Sequence, residues 1–269
     1  MPTGVYSLVK KINIGIELRS MPFLKENARY RDLHKGKRCF ILCCGPSINR
    51  QNLLPLKDEI SFSVSNFYFH KDYNTIRPRY HCVPGIGSSF SEGDVVRWFK
   101  EMDGRIGNAE VFLHVAQRSV VEKYNLFHSR KVNYLYMTNN LEITEDVLNL
   151  IGEMPGVQSV PIMCLMIALY MGFKEIYLLG VEHDSYKTNR YEYFFEEKLA
   201  CGQDESVDDN RNIIHSEYIN LLCYLNLWTQ YRALKRIAAV KGASIYNATA
   251  GGVLDEFERV NYDSLFELH

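Results

Sequence analysis

The sequence predicts an α/β fold in which helices flank a mostly parallel sheet. Short apolar runs typical of buried strands alternate with helical patterns along most of the chain, and several of these runs end in glycine-rich or polar turns. The chain has 269 residues, of which 46% are hydrophobic and 23% charged, as in soluble globular domains. Its formal net charge of −1 argues against binding nucleic acid through bulk charge.

The first 38 residues form a basic, partly apolar arm, and residues 39–269 are expected to form a single domain. The arm contains nine Lys and Arg residues against three Asp and Glu residues. Such an arm either lies on an anionic membrane surface or packs as an extension with a solvated basic face. The sequence shows no signal peptide and no uncharged apolar run long enough to span a bilayer. We therefore expect a cytoplasmic protein, at the inner face of the cytoplasmic membrane if the arm binds there.

Phe40–Cys43 predicts the first buried strand, and the turn after it predicts a ligand-binding loop. The turn is Gly45-Pro46-Ser47. In open α/β sheets, ligands bind beyond the carboxyl ends of the strands. Gly45 permits close approach of a ligand, while Ser47 offers a hydroxyl and a helix N-terminus whose free N–H groups suit a phosphate. The alternative is a simple connection between two elements.

Two further strands are predicted next, and each ends at a candidate binding residue or loop. Ile60–Ser65 runs into Asn66, whose amide either hydrogen-bonds a base or a sugar or only caps the turn. His81–Val83 runs into a second glycine-rich loop at Pro84–Ser89. The other elements predicted in this half of the chain are helices at Asn49–Leu54 (ended by Pro55), Glu92–Met102, Ser119–Tyr124 and Ile143–Ile151, and strands at Val111–Val115 and Val132–Tyr136.

The most regular segment is Ser159–Gly172, which predicts a helix buried against the sheet. Ser159 can begin this helix, the residues after it are apolar nearly all round, and Gly172 is the expected C-cap. A central strand is predicted at Glu175–Gly180. The residues that end or directly follow this strand are expected at the ligand-binding edge of the sheet, the alternative being a solvated loop: Gly180, Glu182, His183 and Asp184.

Residues 185–212 are predicted to form a lid or a small subdomain over the site. The segment is polar, acidic near Asp204–Asp209, rich in aromatic residues and without clean periodicity. Long irregular segments inside a compact domain are usually functional. The lid tyrosines that we expect to reach a ligand are Tyr186, Tyr191 and Tyr193.

A long amphipathic helix, His215–Lys241, is predicted after the lid. His215 lies at its N-terminus, where a histidine tends to stay neutral and can accept a proton. Ser244–Tyr246 is the last predicted strand, and the small-residue loop Asn247–Gly252 is a third candidate for the ligand-binding edge. Val253–Leu268 is expected to be a helix.

The cysteines indicate a reducing compartment. The chain contains seven of them, an odd number, and no Cys-x-x-Cys pair. Most lie in apolar runs, which is typical of reduced, buried thiols in a cytoplasmic protein. The sequence therefore predicts neither a disulfide framework nor a metal site.

Several motifs, in their order along the chain, resemble those of the small bacterial sialyltransferases that modify surface lipooligosaccharides. They are ILCCGPSI near the start, SNFYF further on, MCLMIALYMGFKEIYLLGVEHD in the middle, and Ile-His-Ser at His215. The closing stretch IYNATAGGVLDEFERV resembles the motility accessory factors that glycosylate flagellin and the pterin pyrophosphokinase-like proteins grouped with them.

The resemblance implies a Rossmann-like domain with a lid, a CMP-activated nonulosonic acid such as sialic acid as donor, and a glycan or lipid-linked glycan of lipopolysaccharide or capsule as acceptor. Transfer inverts the anomeric centre in that family and needs neither a metal nor a further cofactor, and its members often form homo-oligomers. Carried over by motif, His215 is the general base, taking the proton from the acceptor hydroxyl. The residues implied to hold the nucleotide are Gly45, Pro46, Ser47 and Asn66, with Ser159 near the donor.

Two departures from the family pattern bear on the donor. Cys44 stands before Gly45-Pro46-Ser47 where the sialyltransferases have Asn, and Ile162 stands where a tyrosine contacts the donor phosphate. The resemblance therefore supports glycosyl transfer more strongly than it supports sialic acid.

Two other functions stay open. Diphosphate transfer to a pterin alcohol follows from the wider resemblance; it requires ATP and Mg²⁺, for which Glu182 and Asp184 are the natural ligands, and the sequence has no P-loop. The other alternative is a non-catalytic protein of nucleotide-sugar fold that acts as a partner in glycan assembly. The missing tyrosine at Ile162 favours this reading.

Overall fold

The computed structural model describes residues 14–87, 90–188, 190, 192–195 and 216–267. Among these residues, nine strands form a single sheet. The strands are β1 (Arg38–Leu42), β2 (Ser61–Val64), β3 (Tyr80–Val83), β4 (Glu110–His114), β5 (Val132–Met137), β6 (Glu153–Met154), β7 (Glu175–Leu179), β8 (Ser244–Asn247) and β9 (Glu258–Arg259). The α-helices that follow the first strand are α1 (Tyr73–Ile76), α2 (Glu92–Arg105), α3 (Arg118–Lys123), α4 (Val160–Tyr170), α5 (Ser185–Thr188) and α6 (Glu217–Val240).

The sheet has the strand order β6-β5-β4-β3-β2-β1-β7-β8-β9. Every neighbouring pair is parallel. Parallel strands need crossover connections, and the sheet they form is covered on both faces. The predicted α/β, Rossmann-like fold with a mostly parallel sheet is therefore confirmed.

The order of the strands reverses between β1 and β7. Strands β1 to β6 follow one another toward one edge, while β7 to β9 continue toward the other. Both central strands are buried along four of their five residues, which explains their nearly continuous apolar sequences. In sheets of this kind, the crevice for a ligand lies outside the carboxyl ends of the strands at the reversal.

Helix α4 is the core helix predicted from its apolar sequence. Residues 161–170 are all buried, and the helix packs against β1, β2, β3 and β7. Gly172 follows it with φ at +79°, the left-handed conformation expected of a glycine after a helix. Ser159 is the N-cap residue by position, although its side chain makes no capping hydrogen bond.

The described part of the N-terminal arm packs against the sheet. A 3₁₀ helix at Pro22–Tyr30 buries Leu24, Asn27 and Tyr30. The Asn27 side-chain amide donates hydrogen bonds to the carbonyls of Tyr134 (2.8 Å) and Leu150 (2.9 Å), which fixes this segment beside β5. Among the described residues, no helix is both long and apolar enough to cross a bilayer.

One predicted helix near the site is replaced by two 3₁₀ turns. The predicted helix at Asn49–Leu54 is wrong, since the structure has 3₁₀ turns at Pro46–Arg50 and Leu54–Asp58 instead. Pro46 and Pro55 each lie at the beginning of one of these turns. Proline suits that position, where its missing N–H has no helical partner. Pro55 therefore begins a turn and does not end a helix.

The predicted helix at Ile143–Ile151 is also wrong, apart from a 3₁₀ turn at Glu145–Val147. Polar side chains hydrogen-bond nearby backbone groups here: the side-chain Oδ1 atom of Asn149 accepts the N–H of Ile151 at 3.4 Å. Asn and Thr side chains compete with helical hydrogen bonds in this way.

The predicted C-terminal helix at Val253–Leu268 is replaced by β9 and a 3₁₀ turn at Asp263–Leu265. The guanidinium group of Arg259 donates hydrogen bonds to the carbonyls of Thr249 (3.0 Å) and Gly251 (2.8 Å). These bonds hold the chain extended beside β8, because a helix would carry Arg259 away from the loop after β8, which contains Thr249 and Gly251.

Candidate functional site

A cavity of about 420 Å³ opens where the strand order reverses. Its wall includes the loop after β1, the residues after β2, the start of α4 and the loop after β7. Nine of the predicted site residues line it: Gly45, Pro46, Asn66, Ser159, Gly180, Glu182, His183, Asp184 and Tyr193. The structure thus brings these residues together around one cavity, while their roles stay predictions.

Two other predicted site residues, Ser47 and Tyr186, do not line the cavity. Ser47 is buried behind the cavity wall. Tyr186 is 54% exposed and packs edge-on against Tyr224, with ring centroids 5.5 Å apart. Tyr191 and His215 lie outside the described residues.

Glu182 links the loops after β1 and β7. Its Oε1 atom accepts the backbone N–H of Ser47 at 2.7 Å, so the N–H that was predicted to suit a phosphate bonds to a carboxylate of the protein itself. Burial raises the pKa of Glu182, and the hydrogen bond from the Ser47 N–H opposes this shift. The Oε2 atom is buried and has no partner among the described residues.

Gly45 and Gly252 lack a side chain that would clash with Glu182. A Cβ atom on Gly45 would lie 1.5 Å from Glu182 Oε2 and 2.6 Å from the carbonyl oxygen of Gly180. A Cβ atom on Gly252, whose φ is +75°, would lie 2.3 Å from Glu182 Cα. The backbone N–H of Val253 donates to the carbonyl of Glu182 at 2.8 Å. The loops after β1, β7 and β8 therefore meet at Glu182, and the third predicted loop supports the site from behind.

His183 combines an unusual backbone conformation with a partly buried hydrogen bond. Its φ of +52° lies in the left-handed region, which is sparsely populated by residues other than glycine and is enriched at functional sites. A ring nitrogen, Nε2, lies 2.7 Å from the hydroxyl of the buried Tyr231. Burial lowers the pKa of His183 to about 4, so the imidazole is neutral at pH 7.

Asn66 is fixed by two side chains. Its Oδ1 atom accepts the indole N–H of Trp98 at 2.7 Å and the hydroxyl of Tyr68 at 3.0 Å. Although Asn66 is the N-cap residue of the 3₁₀ turn at Phe67–Phe69, its side chain makes no capping bond. The structure therefore contradicts the alternative that this amide only caps the turn.

The described part of the predicted lid contacts the loop after β1. The N–H of Phe194 donates to the Cys44 carbonyl at 3.0 Å, and the Asn49 side chain donates to the Phe194 carbonyl, also at 3.0 Å. The Phe194 ring packs edge-on against Phe67, with centroids 5.6 Å apart. From this segment and α5, the side chains that line the cavity are those of Ser185, Lys187, Arg190, Glu192, Tyr193 and Phe195.

Cys44 and Ile162, the two departures from the sialyltransferase pattern, lie in different parts of the structure. Cys44 lines the cavity, and its thiol donates to the Val64 carbonyl at 3.5 Å; burial raises the pKa of this thiol to about 12. Ile162 is fully buried in the core beneath the sheet.

Solved sialyltransferase structures have a similar architecture. The sialyltransferase CstII from Campylobacter jejuni, in complex with the substrate analogue CMP-3FNeuAc, matches with a TM-score of 0.52 at 16% sequence identity, covering 87% of this chain and 90% of that chain. The likeness shows a shared fold. A structure of the sialyltransferase CST-II with a trisaccharide acceptor and CMP has a TM-score of 0.48 at 15% identity, covering 87% of this chain and 89% of that one. No protein-family model matches the chain, and no curated protein matches it significantly.

The fold of CstII bears out the sialyltransferase resemblance at the level of architecture, whereas the resemblance to motility accessory factors and pterin pyrophosphokinase-like proteins stays a prediction. Within this fold, sequence patterns miss several cavity residues. Trp98 lies on a predicted helix, and no local signal distinguishes it from a core residue. Lys187 and Arg190 do carry a signal, since they are basic residues placed among the aromatic residues at the start of the predicted lid.

Proposed function

We propose that this protein is a bacterial glycosyltransferase that transfers a nonulosonic acid from a CMP-sugar to a hydroxyl of a glycan or lipid-linked glycan. The cavity at the strand reversal is the observation that most supports this proposal. Its volume of about 420 Å³ falls within the range of roughly 300–1,000 Å³ typical of small-molecule sites. The fold shared with CstII, which was solved with a CMP-sugar analogue, supports the class of donor. We place the reaction in surface-glycan biosynthesis in the cytoplasm, at the inner face of the membrane.

In the proposed reaction, the acceptor oxygen attacks the anomeric carbon as the bond to the CMP phosphate breaks, which inverts that centre. His215 takes the proton of the acceptor hydroxyl, because a neutral imidazole is a suitable general base near pH 7. The departing phosphate gains negative charge, and positive groups in a water-poor site stabilise such charge. Lys187 and Arg190 line the cavity. Their positive charges can stabilise the departing phosphate in place of the tyrosine hydroxyl that is absent at Ile162.

Nucleotide binding and turnover test the proposal together. Thermal unfolding is recorded with CMP, UDP, GDP or ATP, each with EDTA or with Mg²⁺, since a ligand that binds only the folded state raises Tm. Release of CMP from a CMP-sugar is then measured for the wild type, His215→Ala and His128→Ala. His128 is exposed and lies outside the cavity wall, so it controls for the loss of a histidine.

We expect a rise in Tm with CMP that persists in EDTA, and turnover that is lost in His215→Ala but kept in His128→Ala. A rise with ATP only in the presence of Mg²⁺ would instead support diphosphate transfer to a pterin, with Glu182 and Asp184 as metal ligands. No rise with any of the four nucleotides would favour the non-catalytic partner protein.

A further inference from the structure

The side chain of Asn66 has one possible orientation. The indole N–H of Trp98 can only donate, so the Asn66 atom 2.7 Å away must be the carbonyl oxygen and not the amino nitrogen. The Tyr68 hydroxyl lies 3.0 Å from the same oxygen. A carbonyl oxygen has two lone pairs, and these two donors occupy both.

The amino group of Asn66 is left for a ligand. Its Nδ2 atom makes no hydrogen bond to any described residue and is not among the buried unpaired atoms. The residue is half-buried and lines the cavity. From this position, Asn66 can donate hydrogen bonds into the cavity but cannot accept one.

The surroundings of Asn66 suit a planar base. Phe90 and Trp98 line the same wall, with ring planes 24° apart and centroids separated by 6.2 Å, and aromatic faces bind nucleobases by stacking. The charged residues Lys187 and Arg190 belong to the segment after β7. Since β1 lies between β2 and β7 and adjacent strands are about 4.8 Å apart, the strands that lead to Asn66 and to the segment with Lys187 and Arg190 are roughly 10 Å apart.

We propose that Asn66, held by Trp98 and Tyr68, is a donor-only recognition element that selects cytosine over uracil. This inference rests on the proposed function, in which the ligand is a nucleotide. Cytosine presents O2 and an unprotonated N3, both acceptors, whereas N3 of uracil carries a hydrogen that an amino group cannot satisfy. Trp98 and Tyr68 are positioning residues, because they act on the base through Asn66.

Asn66→Asp tests the inference with almost no change in shape. One carboxylate oxygen still accepts from Trp98 and Tyr68, but the other now faces the ligand as an acceptor. We expect CMP affinity to fall by about ten- to a hundredfold and UMP affinity to fall less, so the ratio of CMP to UMP affinity drops at least tenfold. Asn52→Asp adds the same charge at an exposed loop residue outside the cavity and should leave the ratio unchanged.

Trp98→Phe provides a second test if Asn66→Asp does not fold. It keeps an aromatic ring but removes the N–H that fixes the amide, so the amide can rotate and the CMP to UMP ratio should fall about three- to tenfold. Binding is measured by titration calorimetry of CMP and UMP at one pH and salt concentration. If wild type binds CMP but every folded variant keeps the ratio within twofold, the inference is overturned and the proposed function stands. If wild type binds neither CMP nor UMP, both the inference and the proposed function are refuted.

Discussion

Replacing Gly45 with alanine should destabilise the protein strongly, although φ at this position is −66° and suits any residue. The new Cβ atom would lie 1.5 Å from Glu182 Oε2 and 2.6 Å from the Gly180 carbonyl oxygen. Moving the Glu182 side chain relieves only the first clash and breaks its hydrogen bond to Ser47. The second clash is with backbone and separates the loops after β1 and β7.

The size of the effect follows from these two steps. Loss of a hydrogen bond to a charged group costs about 1.5–3 kcal/mol, and a methyl group forced into a packed site costs about 1–3 kcal/mol. Together they predict a loss of about 2.5–6 kcal/mol in the free energy of unfolding, and a fall in Tm on the order of 10 °C for a chain of this size.

Urea denaturation of four proteins measures this loss and its origin: wild type, Gly45→Ala, Glu182→Ala and the double variant. Because contacting residues couple, the effect of Gly45→Ala should be about 1–3 kcal/mol smaller when Glu182 is absent. Gly104→Ala is the matched control, since a Cβ atom there meets nothing within 4 Å and alanine favours the α2 helix. A Gly45→Ala variant as stable as Gly104→Ala, or strictly additive effects in the cycle, would refute the reasoning.

Three other predictions concern the same cavity. The pKa of His183 is about 4 in the folded state, whereas the unfolded chain binds the proton near pH 6.5. The free energy of unfolding should therefore fall by up to about 3 kcal/mol as pH decreases from 6.5 to 4. His183→Asn, which tolerates positive φ, should reduce this pH dependence in urea titrations at successive pH values. Tyr231→Phe should lower the free energy of unfolding by about 1–3 kcal/mol, because it leaves His183 Nε2 without its partner. Lys187→Ala should weaken CMP binding about three- to tenfold in calorimetry, and less so at high salt, while Lys241→Ala, at the exposed end of α6, should not.

Each of these has a result that contradicts it. Equal pH slopes in wild type and His183→Asn would mean that this histidine does not titrate as its burial implies. A Tyr231→Phe variant as stable as wild type would mean that the hydrogen bond is replaced by another group. Equal CMP affinities for Lys187→Ala and Lys241→Ala would remove Lys187 from the phosphate end of the cavity.

The centre of the fold is predictable because burial leaves a direct mark on the sequence. Strands β1 and β7 and helix α4 are buried nearly all round, so their residues are apolar apart from the charged residue that begins each strand. The short edge strands leave no such mark. Strands β6 and β9 have two residues each, and they become strands only through pairing with β5 and β8.

The site is predictable only as far as loops can be placed at strand ends. Gly45 and Glu182 follow adjacent parallel strands, so their convergence follows from topology. Trp98 and Tyr231 lie on helices, and each contacts a site residue far away in the chain, Asn66 and His183 respectively. Which face of a helix meets the site depends on tertiary packing, which local sequence patterns do not reveal.

The hydrogen bonds divide the predicted site residues into two groups. Glu182 is 8% exposed and already bonds Ser47, so it shapes the crevice from inside. Asn66 keeps its amino group accessible, and His183 bonds Tyr231 through one ring nitrogen while the other has no partner among the described residues. The unpaired Oε2 atom of Glu182 is buried, whereas the unpaired atoms of Asn66 and His183 are not. Since accessible polar atoms without an internal partner can gain a hydrogen bond from a ligand, selectivity should reside in Asn66 and His183. Glu182→Gln should therefore change the stability measured in urea and leave the CMP to UMP affinity ratio unchanged; a shifted ratio would place Glu182 in contact with the base.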